Sequence, residues 1–128
     1  MPVVAAAAPT YDESVGILQV YFLRLNTRQY PGAYRLYGAS LPQRQSYGAF
    51  VANFGLVSRF DLAVLDTMPA GEETVVHVAL VARLVNGGSV YYGGYYVIGR
   101  ESGRFRIINK NVVSTGNDVL EGDIPFAP

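Results

Sequence analysis

Acidic residues and histidine are the side chains from which acid–base or metal chemistry could be built here. The chain has ten acidic residues, one histidine and no cysteine. Without cysteine there is no disulfide, thiolate metal site or cysteine nucleophile. Most acidic residues fall at predicted helix starts, at turns or near the end of the sequence. Asp61 lies within a predicted strand, but alternation places it opposite Phe60 and Leu62, away from the presumed interior.

His77 is the single catalytic candidate that the sequence offers. A metal site at His77 would lack a second imidazole, and no carboxylate lies at a useful spacing, so we predict neither a metal nor a cofactor. His77 shares a strand face with Arg83, which we interpret as the outer face of a sheet. We therefore favour a surface or interface histidine over a catalytic one. The sequence also lacks a Gly-x-Ser-x-Gly elbow and a glycine-rich phosphate loop.

The ten tyrosines are the most unusual feature of the composition. Two pairs of tyrosines flank the glycines at 93–94. We interpret this glycine pair as a bulge or bend that curls the sheet. Alternation sends Tyr92 and Tyr96 inward, and Tyr91 and Tyr95 outward. We favour packing and interface roles for these rings, with an aromatic ligand surface as the alternative.

The predicted faces give two sets of candidate binding residues. If the interior holds a ligand pocket, its lining is predicted to be Tyr21, Tyr34, Tyr92, Tyr96 and Asn109. A dimer formed through the outer face is predicted to use His77, Val81, Arg83, Tyr91 and Tyr95.

The first half of the chain has helical periodicity. Thr10 and Glu13 have the spacing of a capping box. An apolar stripe follows them and consists of Val15, Leu18, Phe22 and Leu25. A short second helix is predicted over 33–37, after an interruption by proline and glycine. Ser46 is predicted to cap a third helix, which ends at Gly55.

The second half alternates as strands do. A first strand is predicted from Phe60 to a turn at 68–71, and further strands over 73–86, 89–100 and 104–112, with a hairpin turn at 86–88. The strand over 73–86 has one wholly apolar face, formed by Val76, Val78, Leu80, Ala82 and Leu84. Its other face is also too apolar for open solvent, which favours a partner subunit on that side. We divide the chain into a lead-in at 1–10, one domain at 11–113 and a loose tail at 114–128.

Several segments carry a resemblance to a known family. From Tyr21 the chain reads Tyr-Phe-Leu-Arg-Leu-Asn-Thr-Arg-Gln-Tyr, followed by Ala-Tyr-Arg-Leu at 33–36. Together with the helix after Ser46 and the strand segment Gly-Arg-Phe-Arg-Ile at 103–107, this resembles the nuclear transport factor 2-like superfamily, with its cystatin-like roll, especially compact bacterial members of unknown function. The resemblance implies a cone-shaped α+β fold, in which about three helices pack in the concave face of a curved antiparallel sheet of about four strands. It also implies a pocket between the layers and frequent dimerisation through the sheet.

The resemblance leaves the function open, because the superfamily contains ketosteroid isomerases, small dehydratases and non-catalytic binding domains. An isomerase of that type needs a carboxylate base in an apolar pocket, and no acidic residue here matches the family's positions. We therefore predict a non-catalytic binding or accessory homodimer with a small apolar ligand as candidate. The alternatives are a small-molecule isomerase or lyase, and an interaction module of a larger extracytoplasmic protein.

Composition limits the partners. Ten basic and ten acidic residues give a formal net charge of zero, which argues against a nucleic-acid binder. No apolar run approaches the roughly 18 residues that span a bilayer, so membrane insertion is not expected. The run at 3–8 lacks a basic region and is too short for a signal peptide. The sequence assigns no compartment, because a cytoplasmic protein and an extracytoplasmic domain lacking its signal both fit it.

Overall fold

Three helices precede a four-stranded antiparallel meander in this protein. The computed structural model describes residues 7–119, 125, 127 and 128. The helices are α1 (Tyr11–Asn26), α2 (Tyr30–Tyr34) and α3 (Tyr47–Asn53). The strands are β1 (Val57–Ala70), β2 (Glu73–Leu84), β3 (Ser89–Glu101) and β4 (Arg104–Asn117), in the spatial order β1-β2-β3-β4. This confirms the predicted α+β class, with the helices packed against an open, curved sheet.

Helix α1 begins and ends with side-chain hydrogen bonds that fix its position. The predicted capping box is present: Thr10 Oγ1 accepts from the amide of Glu13 at 3.1 Å, and Glu13 Oε1 accepts from the amide of Thr10 at 3.0 Å. At the other end, Asn26 Nδ2 donates to the carbonyl of Phe60 at 3.0 Å, and Asn26 Oδ1 accepts from the Phe60 amide at 2.7 Å. The Asn26 side chain therefore ties the end of α1 to the beginning of β1.

The second helix begins earlier than predicted. We expected it over 33–37, but α2 runs from Tyr30 to Tyr34 and contains Pro31 in its first turn. Proline is tolerated there because the first amides of a helix have no intrahelical acceptor. Helix α3 begins after Ser46 as predicted, and the Ser46 hydroxyl accepts from the amide of Ala49 at 3.3 Å.

The segment after α2 pairs with the free edge of β4. Tyr37 forms a parallel bridge with Ile107. The amide of Gly38 donates to the Ile107 carbonyl at 2.9 Å, and the Ile107 amide donates to the Leu36 carbonyl at 2.8 Å. This pairing brings Tyr37 out of any helix and holds it beside the sheet.

Strands β1, β3 and β4 are longer than predicted, β2 ends two residues earlier than predicted, and β4 is irregular. The hairpin between β2 and β3 turns at 86–88 as expected, with Gly87 at φ +94°. Strand β4 continues to Asn117, five residues beyond the predicted end at 112. Its register shifts twice, opposite Tyr91/Tyr92 and opposite Val97/Ile98, so that one residue of β4 is left unpaired at each place. Each such bulge reverses the alternation of inward and outward side chains.

The core lies between the helices and the inner face of the sheet. All five β2 residues predicted to face inward are buried, namely Val76, Val78, Leu80, Ala82 and Leu84. Aromatic rings in edge or tilted contact fill the space above them, and these rings are Tyr21, Phe22, Tyr37, Phe50, Phe54 and Phe60. Within the described residues, no helix combines the length and the apolar character needed to cross a membrane.

Candidate functional site

Five polar side chains meet inside the core, and we call the space they surround the chamber. Tyr21 comes from α1, Tyr37 from the segment after α2, Tyr92 and Tyr96 from β3, and Lys110 from β4. All five are at most 9% exposed. The hydroxyls of Tyr21 and Tyr37 are 2.5 Å apart, and Lys110 Nζ donates to the Tyr37 hydroxyl at 3.2 Å. The chamber is therefore a cluster of hydrogen-bond donors in an apolar surrounding.

The donors of the chamber converge on one main-chain oxygen. The main-chain oxygen of Pro128 lies 2.7 Å from the Tyr21 hydroxyl, 2.5 Å from the Tyr37 hydroxyl and 3.0 Å from Lys110 Nζ. Lys110 Nζ also donates to the Ala127 carbonyl at 3.4 Å. Three donors thus surround an oxygen that belongs neither to a helix nor to a strand.

Pro125, Ala127 and Pro128, which we call the prolyl segment, reach into the cone. Both prolines are buried, and Tyr92 donates to the Pro125 carbonyl at 2.5 Å. This differs from the loose tail that the sequence suggested. The segment is held because it supplies acceptors to buried hydroxyls, which would otherwise stay without partners at a cost of about 1–3 kcal/mol each.

Burial sets the charge states of the chamber. It raises the pKa of Tyr92 to about 12 and raises the pKa values of Tyr21 and Tyr96 well above 10.0. These hydroxyls therefore stay neutral donors near neutral pH. Burial lowers the pKa of Lys110 to about 8. Lys110 is the only lysine of the chain. Among the described residues, it is also the only acidic or basic residue whose side chain is buried.

The hydroxyl of Tyr96 is the one chamber group that the described residues leave without a hydrogen bond. Its side chain is 0% exposed. The ring packs edge-on against Tyr21 and Phe22, with centroids 6.4 and 6.2 Å away. A fully buried hydroxyl of this kind offers a place for a polar atom of a ligand or for a water molecule.

The predicted pocket residues are only partly together. Tyr21, Tyr92 and Tyr96 all lie in the chamber. Tyr34 is half-buried beside it, with its hydroxyl donating to the Gln45 carbonyl at 2.6 Å. Asn109, expected to point inward, is exposed and accepts from Gln43 Nε2 at 3.2 Å.

Asn109 points outward because β4 has a bulge at Ile108. Ile98 pairs with Ile107, whereas the neighbouring Val97 pairs with Asn109, so Ile108 is skipped. The reversed alternation turns Lys110 inward, in the place where we expected Asn109. Lys110 and Tyr37 are the chamber residues that the sequence analysis missed. The only sequence signal for Lys110 is that it is the sole lysine of the chain.

A surface depression borders the chamber at the edge of β4. Its volume is about 520 Å³. It is lined by Gln43, Gln45, Tyr95, Asn109, Lys110, Asn111, Val112 and Ala127. Lys110 belongs to both the depression and the chamber, so the depression gives the chamber contact with the surface at this edge.

The residues predicted for a dimer lie on the outer face of the sheet. Tyr91 and Tyr95 are 40% and 38% exposed. His77 Nδ1 lies 3.5 Å from Asp66, and Arg83 Nε lies 2.7 Å from Asp61. Both pairs are exposed, so Asp61 and His77 lie outside the cone. No group of three or more metal-binding side chains occurs in the part of the chain that is described.

Comparison with known proteins finds similarity in structure and not in sequence. The sequence matches no protein-family model and no curated protein. A candidate scytalone dehydratase from Novosphingobium aromaticivorans is similar with a TM-score of 0.65 and 10% identity, over 88% of this chain and 88% of that one. The Δ5-3-ketosteroid isomerase of a Mycobacterium species has a TM-score of 0.57 and 12% identity, over 79% of this chain and 97% of that one.

A third similar structure is a designed protein. It is a computationally designed 17-OHP binder, with a TM-score of 0.56 and 12% identity, over 77% of this chain and 90% of the binder. All three identities are too low to transfer a function, and together the similarities establish the fold alone.

Proposed function

Because the chain has the nuclear transport factor 2-like fold, we propose that it is a non-catalytic binding domain whose ligand site is the chamber. The observation that supports this most is the convergence of Tyr21, Tyr37 and Lys110 on a single oxygen inside an apolar core. Small-molecule sites commonly combine an apolar lining with a few convergent polar groups.

The kinds of side chain inside the cone also favour binding over catalysis. An isomerase or lyase would need a carboxylate or His77 inside the cone. Every described acidic side chain is exposed or half-buried, and the side chain of His77 is 50% exposed. Glu121 and Asp123 lie outside the described residues. The fold accommodates non-catalytic binding as well, since one protein of similar structure is a designed binder.

We expect the full chain to bind a neutral apolar probe in the chamber. N-phenyl-1-naphthylamine should show a saturable rise in fluorescence, because a dye that is enclosed by the apolar side chains around the chamber is shielded from water. Intermolecular nuclear Overhauser effects should connect the dye to the rings of Tyr92 and Tyr96. The proposal is wrong if the dye binds without saturation, or if it binds in the groove of about 510 Å³ between α1 and β1, which includes Leu23 and Leu62.

We further propose that the domain forms a homodimer through the outer face of the sheet. Val81 lies on that face of β2, opposite Asp61 and Tyr91 on the neighbouring strands. Exposed apolar residues extend the face on the outer strands, with Met68 at 60% and Val113 at 57% exposure. A two-fold interface places the same patch on both subunits, so its exposed apolar area is buried twice.

Replacing Val81 by aspartate should convert the dimer to a monomer. A charge that is buried in an interface, here directly opposite the like charge of Asp61, costs several kcal/mol, enough to dissociate a micromolar dimer. Light scattering coupled to size exclusion measures the mass, and far-UV circular dichroism verifies the fold. Val20→Asp is the matched control, because Val20 is 38% exposed on α1, away from the sheet. A monomeric wild type, or a V81D variant that stays dimeric, would contradict the interface.

A further inference from the structure

We propose that the open edge of β1 binds an extended peptide segment of a partner protein. The segment adds to the sheet as a fifth strand, antiparallel to β1, and places alternate apolar side chains in the groove between α1 and β1. This site is separate from the chamber, so the inference goes beyond the proposed function.

The first step is the direction of the main-chain groups of β1. This strand lies at one end of the sheet, and its pairing with β2 is regular from Phe60 to Val64. The Asn26 side chain bonds to both the amide and the carbonyl of Phe60, so these two groups point away from β2. Main-chain groups alternate in direction along an antiparallel pair. The amides and carbonyls of Leu62 and Val64 therefore also point away from β2, and no described residue bonds to them.

The second step is the condition of the rest of this edge. Natural proteins block exposed sheet edges with prolines, with bulges or with a covering segment, because an open edge pairs with other chains. On one side of the stretch 62–64, the Asn26 side chain covers the edge at Phe60. On the other side, a bulge at Leu65 interrupts the pairing, and Pro69 has no amide to donate. The stretch between these blocks stays open, which defines a site of limited length.

The third step is the apolar wall beside the open stretch. The helical side of the groove includes Tyr11, Val15 and Leu23, and Tyr11 and Leu23 are 55% and 60% exposed. From Tyr11 to Leu23 the helix is about 18 Å long. An extended segment of five residues has a similar length of about 17 Å. Residues of that segment opposite Leu62 and Val64 would have their side chains on the same face of the sheet, which is the face toward α1.

Charge further limits the partner. Among the ten residues that line the groove, Asp61 is the only charged one. Asp12 is exposed and precedes Gln19 by two turns, so it lies on the same face of α1. Because the end of α1 meets the start of β1, an antiparallel segment would have its amino end near the start of α1. A basic residue before the apolar positions would therefore complement Asp12, whereas an acidic residue would be repelled.

The test uses the full chain and the peptide acetyl-Lys-Thr-Val-Thr-Val-Thr-amide. Its two valines are designed to lie opposite Leu62 and Val64, with their amides directed at β1 and the threonine amides directed at solvent. N-methylation of both valines removes these donors and should weaken binding at least about ten-fold in nuclear magnetic resonance titrations. N-methylation of the threonines that precede them is the matched control, and it should leave the affinity unchanged.

Two exposed positions on α1 test the apolar wall. Leu23→Ser should weaken binding of the peptide at least about five-fold, because Leu23 lines the groove. Val20→Ser is the matched control, since Val20 is also exposed on α1 but does not line the groove. Far-UV circular dichroism verifies the fold of both variants. Replacing the lysine of the peptide by glutamate should weaken binding about three-fold at low salt.

Hydrogen exchange of single amides locates the peptide. In the free protein the amides of Leu62 and Val64 should exchange quickly, and those of Asp61 and Ala63, which point toward β2, should exchange slowly. The peptide should slow exchange at Leu62 and Val64. Slow exchange there without the peptide would overturn the proposal. Loss of that protection on dilution would then identify a second copy at the edge, and protection at every concentration would identify a segment of the same chain.

Three further results would overturn the proposal. The first is equal binding of the two methylated peptides, which would mean that the main chain of the peptide does not pair with β1. The second is a response to the peptide at Tyr92 and Tyr96 instead of at Leu62 and Val64. The third is the absence of binding to the folded wild type. The proposed function is tested separately by the naphthylamine dye, so it can stand or fail independently of these results.

Discussion

Replacement of Gly94 by alanine is expected to destabilise the domain by at least about 3 kcal/mol. Gly94 has a φ of +147°, which L-residues with a side chain rarely adopt. A Cβ at this position would lie 1.9 Å from the carbonyl oxygen of Asn111 and 2.9 Å from the Cα of Val112. Both atoms belong to the backbone of β4, so the strand itself would have to move.

The neighbouring glycine provides the control for this prediction. A Cβ on Gly93 would meet only Thr115 Cγ2, at an ordinary 3.4 Å, and Gly93 has no positive φ. Gly93→Ala should therefore change the free energy of unfolding by less than about 1 kcal/mol. Urea denaturation of the two variants measures the difference. Equal stability of G94A and G93A would mean that β3 and β4 do not approach each other as closely as described.

Gly94 matters for the chamber as well as for stability. It lies between Tyr92 and Tyr96 on the inner face of β3, opposite Val112 of β4. Absence of a side chain there lets the backbone of β4 lie close to β3 at Asn111 and Val112, next to Lys110. The sequence analysis interpreted the glycines at 93–94 as a bulge or bend. The structure has no bulge there, because the register shifts lie opposite 91/92 and 97/98.

The parts of the fold that local rules determine could be predicted from the sequence. The capping box at Thr10, the Ser46 cap and the hairpin at 86–88 depend on residues close in sequence, and all three are present. The inner face of β2 could be predicted because an uninterrupted strand alternates strictly. These features sufficed for the fold class, since helix caps, turns and alternation determine the order of the elements.

The hydrogen-bond donors of the chamber could not be predicted, because their positions depend on contacts between residues that are distant in the sequence. The bulge at Ile108 exchanges the faces of Asn109 and Lys110, and nothing in the local sequence distinguishes a bulged strand from a regular one. The contact between Tyr21 and Pro128 joins residues 107 positions apart. The prolyl segment has no periodicity, so its burial depends entirely on the unpaired donors that it meets.

Stability is expected to rise with pH between about 8 and 10 because Lys110 is buried. Its pKa is about 8 in the folded protein and 10.5 ordinarily. Between these values the unfolded chain holds a proton that the folded protein has released, so the free energy of unfolding increases with pH. The full difference corresponds to about 3 kcal/mol. The raised pKa values of the buried tyrosines act in the opposite direction above pH 10, where unfolded tyrosines ionise first.

Lys110→Met isolates the contribution of the ammonium. Methionine keeps most of the apolar stem and removes the charge, so K110M should be more stable than the wild type at pH 7 by about 1–3 kcal/mol. Its stability should stay flat from pH 8 to 9.5, where the wild type gains about 2 kcal/mol. Urea denaturation across this range gives both curves.

Because Lys110 is the only lysine, ¹³C-lysine labelling also gives one Cε resonance, whose titration midpoint in the folded wild type should fall near pH 8. A midpoint above 10 would mean that a negative group inside the cone compensates the charge of the ammonium and keeps it protonated. The wild-type stability would then not rise between pH 8 and 9.5.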